Sequence, residues 1–506
     1  MNSIIKKHGN SYGEIIRSST IIGGSQAISY VIAMVRIKLV AVLLGPVGVG
    51  LIGLYASITG LMGTIAGLGI DSSGVREVAQ AHSSGYPERM ARTVKTLRRA
   101  CWIAGLLGWF LTAALSYPLS VWIFDTADRA WAIALLGVTI LLSTITGGRT
   151  AQIQGIRRIG DLARLNVLGA ITGTIVAVGT YAWLGEKAIV PVLIITASIN
   201  LGFAAWFAHQ IKTVQLTHTW MATLDDSRRL VNLGLAFMYG ALLAALVGLA
   251  IRVLIVRHLG LDANGIYQAA WALSGLFAGF IIGAMGADFY PRLTAIANNN
   301  ELVNRLVNEQ IDIGVLLALP GLLGTLTFAP WLMHIFYSEK FLLGSDLLPW
   351  LAVGVFGQVI SFQLGYIQRA KGRTAWIYIS QSHLNLLNLV LSVVMLINFG
   401  LVALAWAFAI CTYTHFFVVL GIAKHLSDFR FSSKTVYLIL TASALIGVSF
   451  ALQNWAAGLT GYLLSVFILS AGCFFSIRGI SSRLGVEHRI IRIILKFPGG
   501  RFVCGI

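Results

Sequence analysis

Charge is what this sequence has least of: Asp, Glu, Lys and Arg make up 11% of its 506 residues while apolar residues make up 57%, against roughly 25% charge in a soluble domain. That shortage excludes a soluble globule. Acidic residues are the scarcer half, 19 against 37 Lys and Arg, and none stands in the middle of an apolar run. A cation inside the membrane therefore has no protein carboxylate at its own depth. Cysteine is also sparse: Cys101, Cys411, Cys473 and Cys504 form neither a CxxC pair nor a zinc spacing, which argues against a disulfide framework, a metal site or any other bound cofactor. Long external loops are missing too, so no catalytic domain has room to fold between the apolar runs.

What the chain has is apolar length. About 14 runs of some 20 residues each match a hydrocarbon core about 30 Å thick, where only helices or closed barrels satisfy their own backbone, and runs this long read as helices. They fall at about 15–44, 47–70, 100–124, 130–155, 160–184 and 188–210, then at 230–259, 261–286, 311–336, 346–370, 374–398 and 401–424, with a last pair at 434–454 and 457–477. The expected fold is an all-α integral membrane protein of about 14 transmembrane helices. The first run follows Lys6 and Lys7 but carries Arg36 and Lys38, too long and too polar for a signal peptide.

A formal charge of +18 suits nucleic acid in a soluble protein, but here its distribution speaks of a membrane. Thirty of the 37 Lys and Arg fall on the side of the N-terminus, and four, Arg129, Lys187, Arg257 and Lys340, fall on the other. This bias places both termini in the cytoplasm and requires an even number of crossings. Nucleic acid is not an expected partner; membrane lipids are. Residues 76–99 and the tail at 481–501 mix basic and apolar residues as surface-lying amphipathic segments.

The segment Arg36 to Asp71 organises the rest. Leu44, Gly45, Gly50, Gly60 and Leu61 recur as Leu259, Gly260, Gly265, Gly275 and Leu276, all at one shift of 215 residues, and Arg36 and Asp71 have near-register counterparts in Arg252 and Asp288. An internal repeat of this kind reads as two facing halves, the plan of many transporters. The expected organisation is a six-helix lobe at 1–210, a polar cytoplasmic linker at 211–229, a second six-helix lobe at 230–425, an extra helix pair at 426–478 and a basic tail at 479–506, with the lobes around a central cavity.

Arg36 and Arg252 lie at matching depth, where a lipid-facing charge costs about 2.5–3.5 kcal/mol at mid-membrane, so each is expected to face a cavity. Their natural counter-charge is an anionic substrate, since guanidinium grips phosphate in a bidentate fork. Snorkelling toward the outer interface is the simpler account of Lys38. Ser18, Ser25, Ser29 and Arg36 share one helical face, and Ser57, Gly60, Thr64, Gly67 and Asp71 share another, either a wet surface or a close-packed one. Gln381, Asn385, Asn388 and Ser392 form an amide stripe suited to sugar hydroxyls or to interhelical hydrogen bonds, with Gln358, Gln363 and Tyr366 a weaker set. His383 beside that stripe reads as a structural imidazole rather than a proton carrier. Asp71 with Arg76, and Asp288 with Arg292, are either helix caps or a cytoplasmic gate latch.

Leu43 to Leu51, Gly67-Leu68-Gly69-Ile70, the Phe289-Tyr290-Pro291-Arg292-Leu293 element and the Gly365 to Gly372 stretch resemble the Wzx polysaccharide translocases of the multidrug/oligosaccharidyl-lipid/polysaccharide (MOP) superfamily, over about residues 15–425. The resemblance implies two six-helix lobes around a cavity and flipping of undecaprenyl-pyrophosphate-linked O-antigen or related repeat units from the inner to the outer leaflet of a bacterial inner membrane. It implies a lipopolysaccharide-type pathway with a polymerase and a chain-length regulator as candidate partners, a monomer, and ion or membrane-potential coupling in place of a cofactor. Arg36, Lys38 and Arg252 are the positions able to supply the cationic cavity that is a family theme. The final helix pair departs from the twelve-helix pattern and resembles the lipid II flippases. A multidrug antiporter of the same superfamily needs mid-membrane carboxylates, and a membrane polymerase or glycosyltransferase needs an external domain or acidic metal motifs. Neither requirement is met, so a transporter and not an enzyme is expected.

Overall fold

The computed structural model describes residues 2–211, 214, 219–455 and 458–484, and among them every long element is a helix. The chain runs through α1 (Asn2–Gly67), α2 (Ile70–Ser83), α3 (Pro87–Ala114), α4 (Ser116–Phe124), α5 (Ala130–Gly155), α6 (Ile159–Leu184) and α7 (Ile189–His209). It continues through α8 (Trp220–Ala295), α9 (Asn300–Phe336), α10 (Leu347–Ala370), α11 (Thr374–Phe399), α12 (Ala403–Ser427), α13 (Ser433–Trp455) and α14 (Leu459–Leu484).

Among the described residues, ten stretches are by length and composition able to cross a membrane, or eleven with the bent pair α3 and α4. The expected count was 14. The difference lies in Gly24–Gly67, Ile159–His209 and Met238–Gly275, which run for 44, 51 and 38 residues and are interrupted by Gly45, by a 3-10 turn at Gly185–Ala188 and by Gly260 respectively. A crossing takes about 20 residues, so 14 is reached only by reading each interrupted stretch as two.

The interruptions have local causes. Gly45 sits at φ 65° and ψ −170°, and Gly260 at φ 88° and ψ 176°, a backbone that glycine alone adopts without strain. The two are repeat mates, and Pro46 after the first starts its new helix without a hydrogen bond to lose. The expected helix at 100–124 is instead α3 and α4, bent by 53°: Pro118 has no N–H and its ring collides with the carbonyl of Ala114, where α3 ends. The amphipathic stretch at 76–99 is divided between α2 and the first turns of α3, which opens on Pro87. Residues 220–229, expected as linker, belong to α8, because no Gly or Pro interrupts the chain between 216 and 233. The amphipathic tail beyond residue 484 lies outside the described residues.

Two compact units result, Met1–Gly265 with Phe336–Ser338, and Ile266–Ile335 with Glu339–Ile506. In the first, α3 and α5 pack through small residues: a Cβ at Gly105 would meet the Leu141 side chain at 2.9 Å, and one at Gly148 the Cys101 sulfur at 2.6 Å. Close backbone approach of this kind is how helices associate where lipid removes the hydrophobic drive. The repeat halves also meet inside this unit. A Cβ on Gly50 would strike the Leu261 carbonyl and, at 2.8 Å, the Gly265 nitrogen, while one on Gly265 would strike the Pro46 carbonyl. Leu261 and Gly265 are the repeat mates of Pro46 and Gly50, so this contact maps onto itself. Asn264, fully buried, seals it by donating from Nδ2 to the Gly50 carbonyl at 2.7 Å.

The second unit has a core in which Phe289, Leu319, Leu323, Phe356 and Val359 are buried with residues of α12 and α13. Along it α14 lies antiparallel to α9. Thr327 hydroxyl donates to the Ser465 carbonyl at 3.4 Å, Leu323 meets Gly472, Leu316 packs at 2.7 Å from a Cβ on Gly479, and Arg483 donates to Asp312 at 2.7 and 3.1 Å. At the start of α9, Asn308 donates to the Arg430 carbonyl and accepts from the Ser432 nitrogen, fixing the connection between α12 and α13. The extra helix pair is thus fastened along its length.

Candidate functional site

The first unit contains a cavity of about 610 Å³ formed by α1, α5, α6 and α7. Arg36 lies in its wall with Gln26, Ser29 and Tyr30 of α1, Ser143, Thr146 and Thr150 of α5, Asn166 of α6, and Thr196 and Asn200 of α7. None of its lining residues is acidic. The sequence of each helix explains its part: Ser143, Thr146 and Thr150 follow steps of three and four, and Thr196 and Asn200 a step of four, so each set lies on one face. Gly169, in the wall, and Gly173 let α6 pack closely against α7. A Cβ at Gly169 would collide with the Asn200 amide oxygen, and one at Gly173 would lie 3.0 Å from Thr196 and 3.9 Å from the Arg36 guanidinium. Ser29 Oγ is buried and has no hydrogen-bond partner among the described residues, a polar atom presented to the space and to whatever fills it.

A second cavity, about 500 Å³, shares Ser143 with the first and is lined by Thr59, Gly60, Gly63, Thr64 and Gly67 of α1 together with Thr139 and Thr144 of α5. The two readings of the small-residue face on α1 separate here. A Cβ at Gly60, Gly63 or Gly67 would meet nothing within 4 Å, so these glycines border open space and are not a packing seam. Thr139 Oγ1, on the same wall, is likewise buried without a partner among the described residues.

The other expected site residues are distributed as follows. Arg252 is partly buried and donates from Nη1 to the Gly248 carbonyl one turn earlier, at 3.1 Å. It is not among the residues lining the Arg36 cavity. Lys38 donates to the Tyr337 carbonyl, a fixed position at the end of α9. Ser25 is half-buried; the Ser18, Asp71 and Asp288 side chains lie outside the described residues, so the latch remains an expectation, with Arg76 and Arg292 both exposed. On α11, Asn385 is buried and donates to the Gln381 carbonyl at 2.8 Å, and Gln381, Asn388 and Gln358 are partly buried. His383 is not alone: its ring stacks on His415 of α12 with centroids 6.1 Å apart and 18° between planes. The Nδ1 atoms of both are buried and without a partner among the described residues. Tyr366 is enclosed by Phe289, Tyr290, Phe362 and the Arg369 guanidinium, 5.1 Å from its ring.

Gln26, Tyr30, Asn166, Thr196 and Asn200 escaped the sequence reading because single polar residues in apolar runs look like packing. The available signal was the four-residue step on α7 and the paired glycines opposite it on α6.

A helical chain with a self-mapping repeat contact and a polar cavity inside its first unit has the fold of the MOP transporters. It superposes on the inward closed form of the lipid II flippase MurJ with a TM-score of 0.69, at 13% identity over 92% of this chain and 99% of that one. An inward-facing MATE-family multidrug resistance transporter of the MOP superfamily gives 0.58, at 13% identity over 87% and 96%. A MOP superfamily transporter from Pyrococcus furiosus, described for the reverse polarity of its binding pocket, gives 0.59 at 13% identity over 81% and 96%. Residues 15–297 match the polysaccharide biosynthesis protein family, and the chain belongs to it. Among curated relatives, the lipid III flippase of Escherichia coli (strain K12) is 24% identical over 349 residues, 66% of this chain and 80% of that protein. The probable low-salt glycan biosynthesis flippase Agl15 of Haloferax volcanii is 24% identical over 311 residues, 58% and 61% respectively. The chain is thus a multi-pass membrane protein of the polysaccharide biosynthesis protein family with the fold seen in MOP transporters, and the relatives and neighbours named here are flippases and transporters.

Proposed function

We propose that the protein flips a lipid-linked glycan from the inner to the outer leaflet of a bacterial inner membrane by alternating access, and that its substrate is an undecaprenyl-pyrophosphate-linked O-antigen or related repeat unit. The observation that carries this is Arg36 in a polar cavity with no acidic residue in its wall. A buried cation without a carboxylate is stabilised when an anion enters, and a diphosphate offers the planar guanidinium several oxygens at once. Thr146, Thr150 and Thr196 donate to carbonyls of their own helices and keep oxygen lone pairs to accept from a ligand, while the amides of Gln26, Asn166 and Asn200 carry both donors and acceptors, which suits sugar hydroxyls attached to that phosphate. The flippase relatives support the same class of cargo. In this reading the six-helix lobes at 1–210 and 230–425 rock around the substrate, 14 crossings keep both termini cytoplasmic, and Arg252 meets the diphosphate from the second repeat during the cycle. A polymerase and a chain-length regulator receive the product, and the protein works as a monomer. A multidrug antiporter is less well supported, because a cationic drug entering this cavity meets Arg36 and no carboxylate.

The test follows lipid-linked repeat units in cells that lack any other translocase. Arg36→Ala, present at normal membrane abundance, should accumulate them on the cytoplasmic side and lose surface polymer. Normal export by that variant removes the anionic-substrate argument. Export of cationic dyes by the native protein, with no effect on surface polymer, favours the antiporter instead.

A further inference from the structure

The second unit holds its own cavity, about 500 Å³, where the α13–α14 connection meets the end of α9 and the start of α10. Two kinds of group converge on it. Trp331, Trp350 and Tyr462 supply rings, and Ser345, Asp346 and Gln453 supply polar atoms. Trp331 is 59% exposed and Tyr462 39%. Neighbouring rings steady two of them: Trp350 meets Trp406 at 5.7 Å and Phe450 at 4.6 Å, and Tyr462 meets Phe328 at 6.0 Å, all in T-shaped contacts. The frame around them is stiff, since α14 is fastened to α9 from Thr327 to Asp312.

Tryptophan at a helix end is ordinary at a membrane interface, where the ring faces lipid headgroups. An interfacial belt does not call for a carboxylate and an amide in the same concavity; convergent polar groups among aromatic walls are the pattern of a small-molecule site. The ligand this lining fits is a sugar. The C–H face of a pyranose lies against the electron-rich face of an aromatic ring, while its hydroxyls donate to Asp346 and exchange donor and acceptor roles with Gln453 and Ser345. An anion is repelled by Asp346. A cation is less well matched, because the amide and hydroxyl add directional bonds that a cation does not need, and because Asp346 stands at the N-terminus of α10, where the helix dipole weakens its pull on a positive charge.

We propose that this cavity is a saccharide cradle which receives a sugar residue of the translocated glycan on the face that the charge bias assigns to the exterior. It gives α13 and α14, which lie outside the repeat, a function of their own. The proposal rests on the flippase reading.

Saturation-transfer NMR on the full chain in nanodiscs tests it, with N,N′-diacetylchitobiose and maltotriose as neutral probes and tetraphenylphosphonium as a cationic one. Aromatic irradiation should saturate the sugar ring protons. Trp331→Ala and Asp346→Asn, both at exposed positions, should weaken binding by about tenfold, while Trp183→Ala, an exposed tryptophan on α6, leaves it unchanged. No transfer to either saccharide, transfer indifferent to Trp331→Ala, or preferential binding of tetraphenylphosphonium each overturns the cradle. In the export assay Arg36→Ala is the reference. Loss of export there, with normal export and no saccharide contact by the Trp331→Ala protein, removes the cradle and leaves the flippase reading standing. Normal export by Arg36→Ala removes the flippase reading whatever the saccharides do.

Discussion

Arg36 is the residue whose environment most constrains the chemistry, because its charge is permanent and its cavity offers it hydroxyls and amides but no counter-ion. Its substitutions should therefore rank by what they keep. Arg36→Lys retains the charge and loses the fork, so export should fall in part. Arg36→Glu should be the most damaging, since it repels a diphosphate and adds a group whose ionisation is costly at that depth. Quantification of lipid-linked intermediates at matched protein abundance reads the order, and equal export by the Lys and Glu variants contradicts a phosphate contact. Arg252→Ala should lose export nearly as far if the second repeat shares the load. His383→Gln should leave surface glycan near normal, because an amide still donates and accepts beside His415; lost export at normal abundance would assign the stacked pair to proton movement. Arg36 and Ser29 were legible from sequence because a charge and a hydroxyl at helical spacing are conspicuous in an apolar run. The stacking of His383 on His415 was not, since their helices must first be packed together. Nor does a stripe such as Gln381, Asn385 and Asn388 say what it faces: Asn385 uses its donor on its own helix.

At the scale of elements, two sets of glycines do opposite work. Gly50 and Gly265 let backbone touch backbone, whereas Gly60, Gly63 and Gly67 border empty space. Ala at Gly50 or Gly265 meets carbonyl and amide atoms that cannot swing aside, so membrane abundance and thermal stability should drop sharply. Gly60→Ala should be tolerated in both respects, and Gly63→Trp should fold yet obstruct export by filling the cavity. Fluorescence-detected thermal denaturation of tagged variants separates these outcomes; equal stability of Gly50→Ala and Gly60→Ala contradicts the distinction. The sequence marked Gly50, Gly265 and Gly60 through recurrence at one shift and Gly67 through its helix face, and the recurrence of the helix turn foretold the matched breaks at Gly45 and Gly260. It did not tell packing from space, because both demand a small residue. The break between α3 and α4 was legible in principle, since Pro118 forbids the bond to Ala114.

For the whole molecule, the apolar runs and the charge bias made an all-helical membrane transporter legible, while the number of crossings was harder to read because three stretches are interrupted rather than ended. Reporter fusions decide it: fusions after residues 214 and 430 should report the cytoplasm, and one after residue 457 the exterior. An exterior signal at 214 would leave the first half with an odd number of crossings and overturn the expected topology. The clasp between α9 and α14 carries a further consequence, in time. Asp312 and Arg483 are 171 residues apart in the chain, so at about 5–20 residues per second a ribosome finishes the arginine on the order of 10–30 s after the aspartate. During that interval α9 has been made and the arginine that donates to Asp312 has not. Truncation ahead of Arg483 therefore withdraws both of its hydrogen bonds from Asp312 and is expected to lower thermal stability.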